Sequence, residues 1–230
     1  MRMSDHSVSA PHLSELLTHK SEKWRAFPND VLPLPVAEMD FPVAQPIRDL
    51  LSEMIAKSDL GYIGPIPELG KGFAHFAGNR WNWEVDPLQV RAATDVGVAV
   101  VEVLRVFTNP GDSILLSSPV YQNFYNWINE TKLNLVDVPF ERSGDESKNP
   151  WEINWEGIEK AYASGLKVHI LCSPHNPLGR IYTKEELLRI VALAKRYNVL
   201  IISDEIHAPL TFPDAHFVPI LSLGADAESV

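Results

Sequence analysis

Cysteine is nearly absent from this sequence: Cys172 is the only one in 230 residues. That excludes an intrachain disulfide and a cysteine-based zinc cluster. Long apolar runs are also missing. None approaches the roughly 18 residues that a membrane-spanning helix needs, and the first eleven residues are polar, without the apolar centre of a signal peptide. There is no long basic run and the net charge is −10, which argues against a nucleic-acid partner, because phosphate binding rests on grouped Lys and Arg. No Gly-x-Gly-x-x-Gly marks a dinucleotide loop. Internal repeats and low-complexity segments are lacking, and no lysine follows Lys195. What is present is 45% hydrophobic and 22% charged, an ordinary soluble globular composition. A cytoplasmic protein of one large domain or two small ones is expected.

The pattern divides near residue 89. Before it, the sequence predicts a polar, frayed start over 1–9, a short helix over 12–20, irregular chain over 24–33 and helices over 43–57 and 67–80. Trp81 and Trp83 read as core packing. From Gln89 on, short apolar runs alternate with amphipathic segments. Strands are expected over 90–93, 113–117, 133–138, 167–172 and 199–202. Helices are expected over 98–108, 120–130, 154–164 and 183–197, with Asn154 and Thr183 as N-caps. Residues 143–150 read as a polar exposed loop, and 209–212 as a possible strand. Strands separated by helices indicate an α/β fold with a mostly parallel sheet and flanking helices.

Four polar groups stand just after apolar strands, where open α/β sheets bind ligands. Asp204 ends the run 199–202. It is either a structural carboxylate satisfied by backbone donors or the partner of a bound cation. Gly97, in Thr94-Asp95-Val96-Gly97-Val98, opens a helix whose free N–H groups suit an anion; a plain turn is the alternative. Tyr121 offers a ring for a planar ligand or a core aromatic. Asn176, between Pro174 and Pro177, sits in a rigid polar loop that packing does not explain. His175 and His207 are neighbours that read more readily as structural. Taken together, a phosphate turn, a stacking Tyr, an Asn donor and a buried Asp suit pyridoxal 5'-phosphate, with Asp204 keeping the pyridine ring cationic.

The segments Val36-Ala37-Glu38-Met39-Asp40-Phe41, Gly61-Tyr62, Ser118-Pro119-Val120-Tyr121, Ser173-Pro174-His175-Asn176-Pro177-Leu178-Gly179-Arg180 and Ser203-Asp204-Glu205-Ile206-His207 resemble the class I/II aminotransferases of fold type I. Within them they resemble the MalY/PatB branch of cystathionine β-lyase-type enzymes. The match is collinear over about 34–210. The resemblance implies a pyridoxal-phosphate-dependent transferase-like fold, with 1–45 as an N-terminal arm and part of a small domain and 46–230 as a partial cofactor-binding large domain. It implies that Gly97 and Val98 give backbone donors to the cofactor phosphate, Tyr121 stacks on the ring, Asn176 binds its phenolic oxygen and Asp204 its ring nitrogen. Tyr62 would reach the phosphate of a neighbouring subunit in a homodimer.

The family's Schiff-base lysine and its carboxylate-binding Arg lie downstream of the last motif, beyond Val230. The expectation is therefore a truncated chain that carries cofactor contacts and no catalytic residue of its own. The function implied is β-elimination on a sulfur amino acid, giving pyruvate, ammonia and a thiol. An aminotransferase is the alternative from the same family, and a non-catalytic fragment or regulatory binding module the alternative from outside enzymology.

Overall fold

The computed structural model describes residues 9–35, 37–144 and 150–227, with only the backbone at 225–227. The expected frayed start, Val36 of the first motif and the tip of the 143–150 loop lie outside the described residues. The chain forms two compact units, residues 1–64 and 65–230.

The first unit carries α1 (Leu13–Leu16), α2 (Glu22–Arg25) and α3 (Gln45–Ala56). The segment expected to be irregular thus begins in a helical turn, and that turn has a physical reason. Lys23, only 4% exposed, donates from Nζ to the Asp40 carboxylate at 2.8 Å and to the Glu38 carbonyl at 3.1 Å. The Trp24 indole N–H donates to the other Asp40 oxygen at 3.1 Å. The Lys23 hydrogen bond comes first among the causes that hold the Asp40 carboxyl below its ordinary range. A buried ammonium is tolerable only when paired and hydrogen-bonded in this way. In α3, Ile47, Leu50, Leu51 and Ile55 are all exposed, although their spacing makes one apolar face.

The second unit continues with α4 (Pro67–Trp81), α5 (Val96–Phe107), β1 (Ser113–Leu116), α6 (Asn123–Thr131), β2 (Asn134–Asp137), β3 (Glu141–Arg142), β4 (Trp151–Glu152), α7 (Trp155–Ala163), β5 (Val168–Cys172), α8 (Lys184–Tyr197) and β6 (Leu200–Asp204). Four strands form a parallel sheet in the order β2-β1-β5-β6, and β3 pairs with β4 as a small antiparallel ribbon. Both faces of the central strands β1 and β5 are covered, so these strands read as near-continuous apolar runs. Side chains still alternate between faces. Ile114, Leu116, Val168 and Ile170 pack with Leu104, Phe124 and Ile128 of α5 and α6. Leu115, Leu171 and Ile201 pack with Ile158, Leu187 and Ile190 of α7 and α8. His169 shares the second face, and its Nδ1 meets the Tyr162 hydroxyl at 2.8 Å. Burial lowers the His169 pKa to about 3, so the ring is neutral.

Asn154 caps α7, and Thr183 with Glu186 forms the expected capping box at α8. Trp81 packs edge-on against Phe76 and Phe217, and Trp83 against Phe73, in keeping with the core reading. Two expected strands are absent among the described residues. Residues 90–93 join no sheet ladder, since a short apolar run becomes a strand only where a ladder receives it. Residues 209–212 instead follow a 3₁₀ turn, Ala208–Leu210; Pro209 lacks an N–H and its fixed φ suits the first helical turn.

Two predictions follow from this core and this edge. Tyr162→Phe leaves His169 Nδ1 buried without that partner and destabilises the fold by about 1–3 kcal/mol, read by urea unfolding; a loss of only a few tenths would show that another group serves the ring. Second, Leu200 donates to Lys167 and Asp204 accepts from Ser173, so the intervening Ile201 and Ser203 direct their backbone groups away from β5. No strand among the described residues pairs there, and an open apolar edge templates association. The 230-residue chain is expected to self-associate with rising concentration in light scattering; a monodisperse monomer that melts cooperatively would contradict this.

Candidate active site

The order β2-β1-β5-β6 contains a switch point. From β1 the chain crosses to β2 on one side, then returns to β5 on the other. Loops leaving β1 and β5 therefore diverge at their carboxyl ends and open a crevice between them, the place where such sheets hold ligands. Tyr121 lies in the first loop and Asn176 in the second. The Tyr121 N–H donates to the Asn176 carbonyl at 3.0 Å, closing the floor of the crevice. The helix α6 begins at Asn123, later than the expected 120.

Tyr121 is 41% exposed, with its ring available rather than packed into the core. Its hydroxyl accepts from the Asn123 amide at 2.9 Å. Before it, Ser118 is fixed by Asp137, which accepts from the Ser118 N–H at 3.1 Å and its hydroxyl at 2.8 Å. The Asn176 N–H donates to Cys172 Sγ at 3.3 Å, whereas its side-chain amide has no hydrogen-bond partner among the described residues. The bonds Ser118–Pro119, Ser173–Pro174 and Asn176–Pro177 are cis.

Asp204 ends β6, directly beside Cys172 of β5 in the register. Its carbonyl accepts from the Ser173 N–H at 2.9 Å and its carboxylate from the Ile206 N–H at 3.1 Å. Burial raises its pKa, with the Ile206 donor and His207 acting against that rise. A carboxylate desolvated in this way gains when a cation meets it. Asp204 lines a cavity of about 260 Å³ together with Val96, Ala99 and Val100, while Phe107 lies near Leu200 at the other end of β6. So α5 runs opposite to β6, and its N-terminus comes to the same end of the sheet as Asp204.

That N-terminus is partly occupied by the chain itself. Asp95 is the N-cap, and its carboxylate accepts from the Val98 N–H at 2.9 Å. Of the two expected phosphate donors, the Gly97 N–H is therefore the freer, and Val98 reaches an anion only if Asp95 yields. A Cβ at Gly97 would stand 2.8 Å from Trp127 Nε1 and 3.1 Å from the Asp95 carboxylate, so glycine is required there by close packing. Tyr62 belongs to the first unit, where its side chain is fully exposed at 107%. The structure thus brings Gly97, Val98, Tyr121, Asn176 and Asp204 to one end of one sheet. Tyr121 and Asn176 are joined by a backbone hydrogen bond; Asp204 and the start of α5 share one cavity.

Residues 29–230 match the aminotransferase class I and II family. The chain belongs to that family. It is 37% identical over 213 residues to a putative cystathionine beta-lyase of Mycobacterium tuberculosis, covering 88% of this chain and 50% of that protein. It is 31% identical over 198 residues to the cystathionine beta-lyase PatB of Bacillus subtilis, covering 86% and 50%. Among solved structures, cystalysin from Treponema denticola, which contains a pyridoxal 5'-phosphate cofactor, superposes with a TM-score of 0.85 at 26% identity, covering 98% of this chain and 57% of that one. These likenesses bear out the expected MalY/PatB resemblance and aminotransferase-type α/β fold. The chain spans about half the length of the curated relatives it matches.

One residue of the same end of the sheet was not singled out in the sequence. Glu205 accepts from the Ser203 hydroxyl at 3.0 Å and the Ile220 N–H at 2.9 Å. Its only sequence signal is its place beside Asp204. Burial raises its pKa from 4.5 to about 7. The folded state therefore keeps a proton that the unfolded chain has already lost between those values. Its contribution to stability is complete below pH 4.5 and is lost as the pH climbs through 7. In denaturant unfolding, wild type should lose stability relative to Glu205→Gln across that window and no further above it. Buried His169 and His175, lowered to about 3 and 4, act in the opposite sense below pH 6.5 but equally in both proteins. A difference independent of pH would show that Glu205 titrates as an ordinary carboxyl.

Proposed function

We propose that this chain is the cofactor-holding part of a pyridoxal-phosphate-dependent carbon–sulfur β-lyase acting on a cystathionine- or cysteine-S-conjugate-type amino acid. The observation that carries the proposal is the convergence of a desolvated carboxylate, an unpartnered amide, an exposed tyrosine ring and a helix N-terminus at one end of one sheet. The fit to pyridoxal phosphate lies in the donor set. Asp204 is raised by burial and suits a protonated ring nitrogen. The Asn176 amide is free to donate to a phenolic oxygen. The Gly97 N–H, unlike that of Val98, is not taken by Asp95 and is available to an anionic phosphate at the start of α5.

In this reading Asp204 holds a proton at the pyridine nitrogen, because a carboxylate in a low-dielectric site favours a cationic neighbour. Tyr121 covers one face of the ring and excludes water from it. Asn176 orients the ring through its phenolic edge, and the Gly97 N–H seats the phosphate. When bound, pyridoxal phosphate supplies an electron sink for charge developed at the substrate α-carbon. The overall reaction consumes one water, releases a thiol from Cβ and yields pyruvate and ammonia. Tyr62 reaching the phosphate of a second subunit, a homodimer, and a cytoplasmic location belong to the same proposal. So do the boundary near residue 45 and the roles of the individual residues.

The aminotransferase reading draws support from the family itself and from 30% identity to an aspartate aminotransferase of Thermotoga maritima. The two are separated by one assay on the native protein from its source cells. Pyruvate released from L-cystathionine with no keto acid present is the expected result; strict dependence on a keto-acid acceptor would overturn the lyase reading.

A further inference from the structure

Resting on the reading of Asn176 as a cofactor donor, we propose that Arg180 is the positioning residue of the Asn176 loop, a buried cation that aims the Asn176 amide into the crevice from beneath. The unpartnered state of that amide is the starting point. No group among the described residues hydrogen-bonds the side chain, so its placement depends on the loop backbone. The loop leaves β5 after Cys172 and folds back on itself. The His175 N–H donates to the Arg180 carbonyl at 2.7 Å, and the Gly179 N–H to the His175 carbonyl at 2.8 Å. The closure therefore ends at Arg180.

The Arg180 side chain then turns inward and is only 7% exposed. Its Nε donates to the Trp151 carbonyl of β4 at 3.1 Å. Its Nη2 donates to the Glu186 carboxylate, the same side chain that completes the α8 capping box. The guanidinium lies 4.8 Å from the Tyr182 ring centroid and 5.8 Å from that of Phe140. One cation thus joins the loop to a ribbon, to a helix start and to two aromatic rings. Its Nη1 is buried without a hydrogen-bond partner among the described residues, so the buried charge rests on the Trp151, Glu186 and ring contacts. The planar fork and ring stacking are properties that lysine lacks. Because the Asn176 carbonyl also holds the Tyr121 N–H, a loop fixed by Arg180 positions both walls of the crevice.

The test measures pyridoxal-phosphate affinity, by absorbance titration, for the wild-type chain, Asn176→Ala, Arg180→Lys and the double variant, with thermal melting of each. Arg180→Lys is expected to bind about tenfold more weakly, the scale of one lost hydrogen bond. The double variant is expected to bind no more weakly than Asn176→Ala alone, since residues acting through one another are non-additive. Arg180→Lys and Asn176→Ala should also move the pH midpoint of the bound cofactor's absorbance in the same direction. Unchanged affinity in Arg180→Lys, or losses that simply add, would overturn the proposal. If Arg180→Lys does not fold, Glu186→Gln, which loosens the fork and keeps the guanidinium, takes its place in the same comparison. If the wild-type chain does not bind pyridoxal phosphate, the reading of the site fails, and the inference is judged by amide hydrogen exchange. Faster exchange at His175 and Gly179 with β5 and β6 unchanged supports it; equal exchange overturns it.

Discussion

The Tyr121 N–H to Asn176 carbonyl hydrogen bond joins the loops that leave β1 and β5, and the candidate site is arranged around it. It exists because the strand order reverses between those two strands. Two loops that diverge at a switch point leave backbone groups facing a gap, and such groups need partners when they are withdrawn from water. Here they partner each other. The result is a crevice floor that holds its shape while both side chains, the tyrosine ring and the asparagine amide, remain free toward a ligand.

Around that floor the charges are unequal in kind. Asp204 is held by one backbone donor to its carboxylate and is otherwise desolvated, so it favours a cation. The α5 N-terminus favours an anion, yet Asp95 already takes the Val98 donor. On the proposed reading, a dipolar planar ligand with a protonated nitrogen and a phosphate would answer both ends, and its phosphate would compete least with the chain at the freer Gly97 N–H. Buried polar groups beneath the loops belong to the scaffold. His169 is kept neutral beside Tyr162, and Arg180 donates to Trp151 and Glu186 while its Nη1 is buried without a hydrogen-bond partner among the described residues.

The first unit shows the same economy on a smaller scale. Lys23 and Trp24 both donate to Asp40, so a segment without regular structure gains a fixed turn from two side chains on a short helix. The sequence contained those residues, but nothing in their spacing linked Lys23 to Asp40, because ion pairs between distant positions have no periodicity. Arg180 and Glu205 stood in the quoted motifs without an assigned role for the same reason: their partners Trp151 and Ile220 come from other elements.

What the sequence by itself determined is the set of elements whose signals are local. The apolar runs at 113–117, 133–138, 167–172 and 199–202, the Asn154 cap and the Thr183–Glu186 capping box appear where their spacing placed them, because local patterns and hydrogen bonds to near neighbours are written in the sequence. The motif residues Asn176 and Asp204 were legible from their position after buried strands. Only the tertiary structure decided that residues 90–93 find no ladder, that Pro209 opens a 3₁₀ turn rather than a strand, and that the Val98 donor belongs to Asp95. Each depends on which groups meet in space, and pairing energy is realised only when a distant partner arrives.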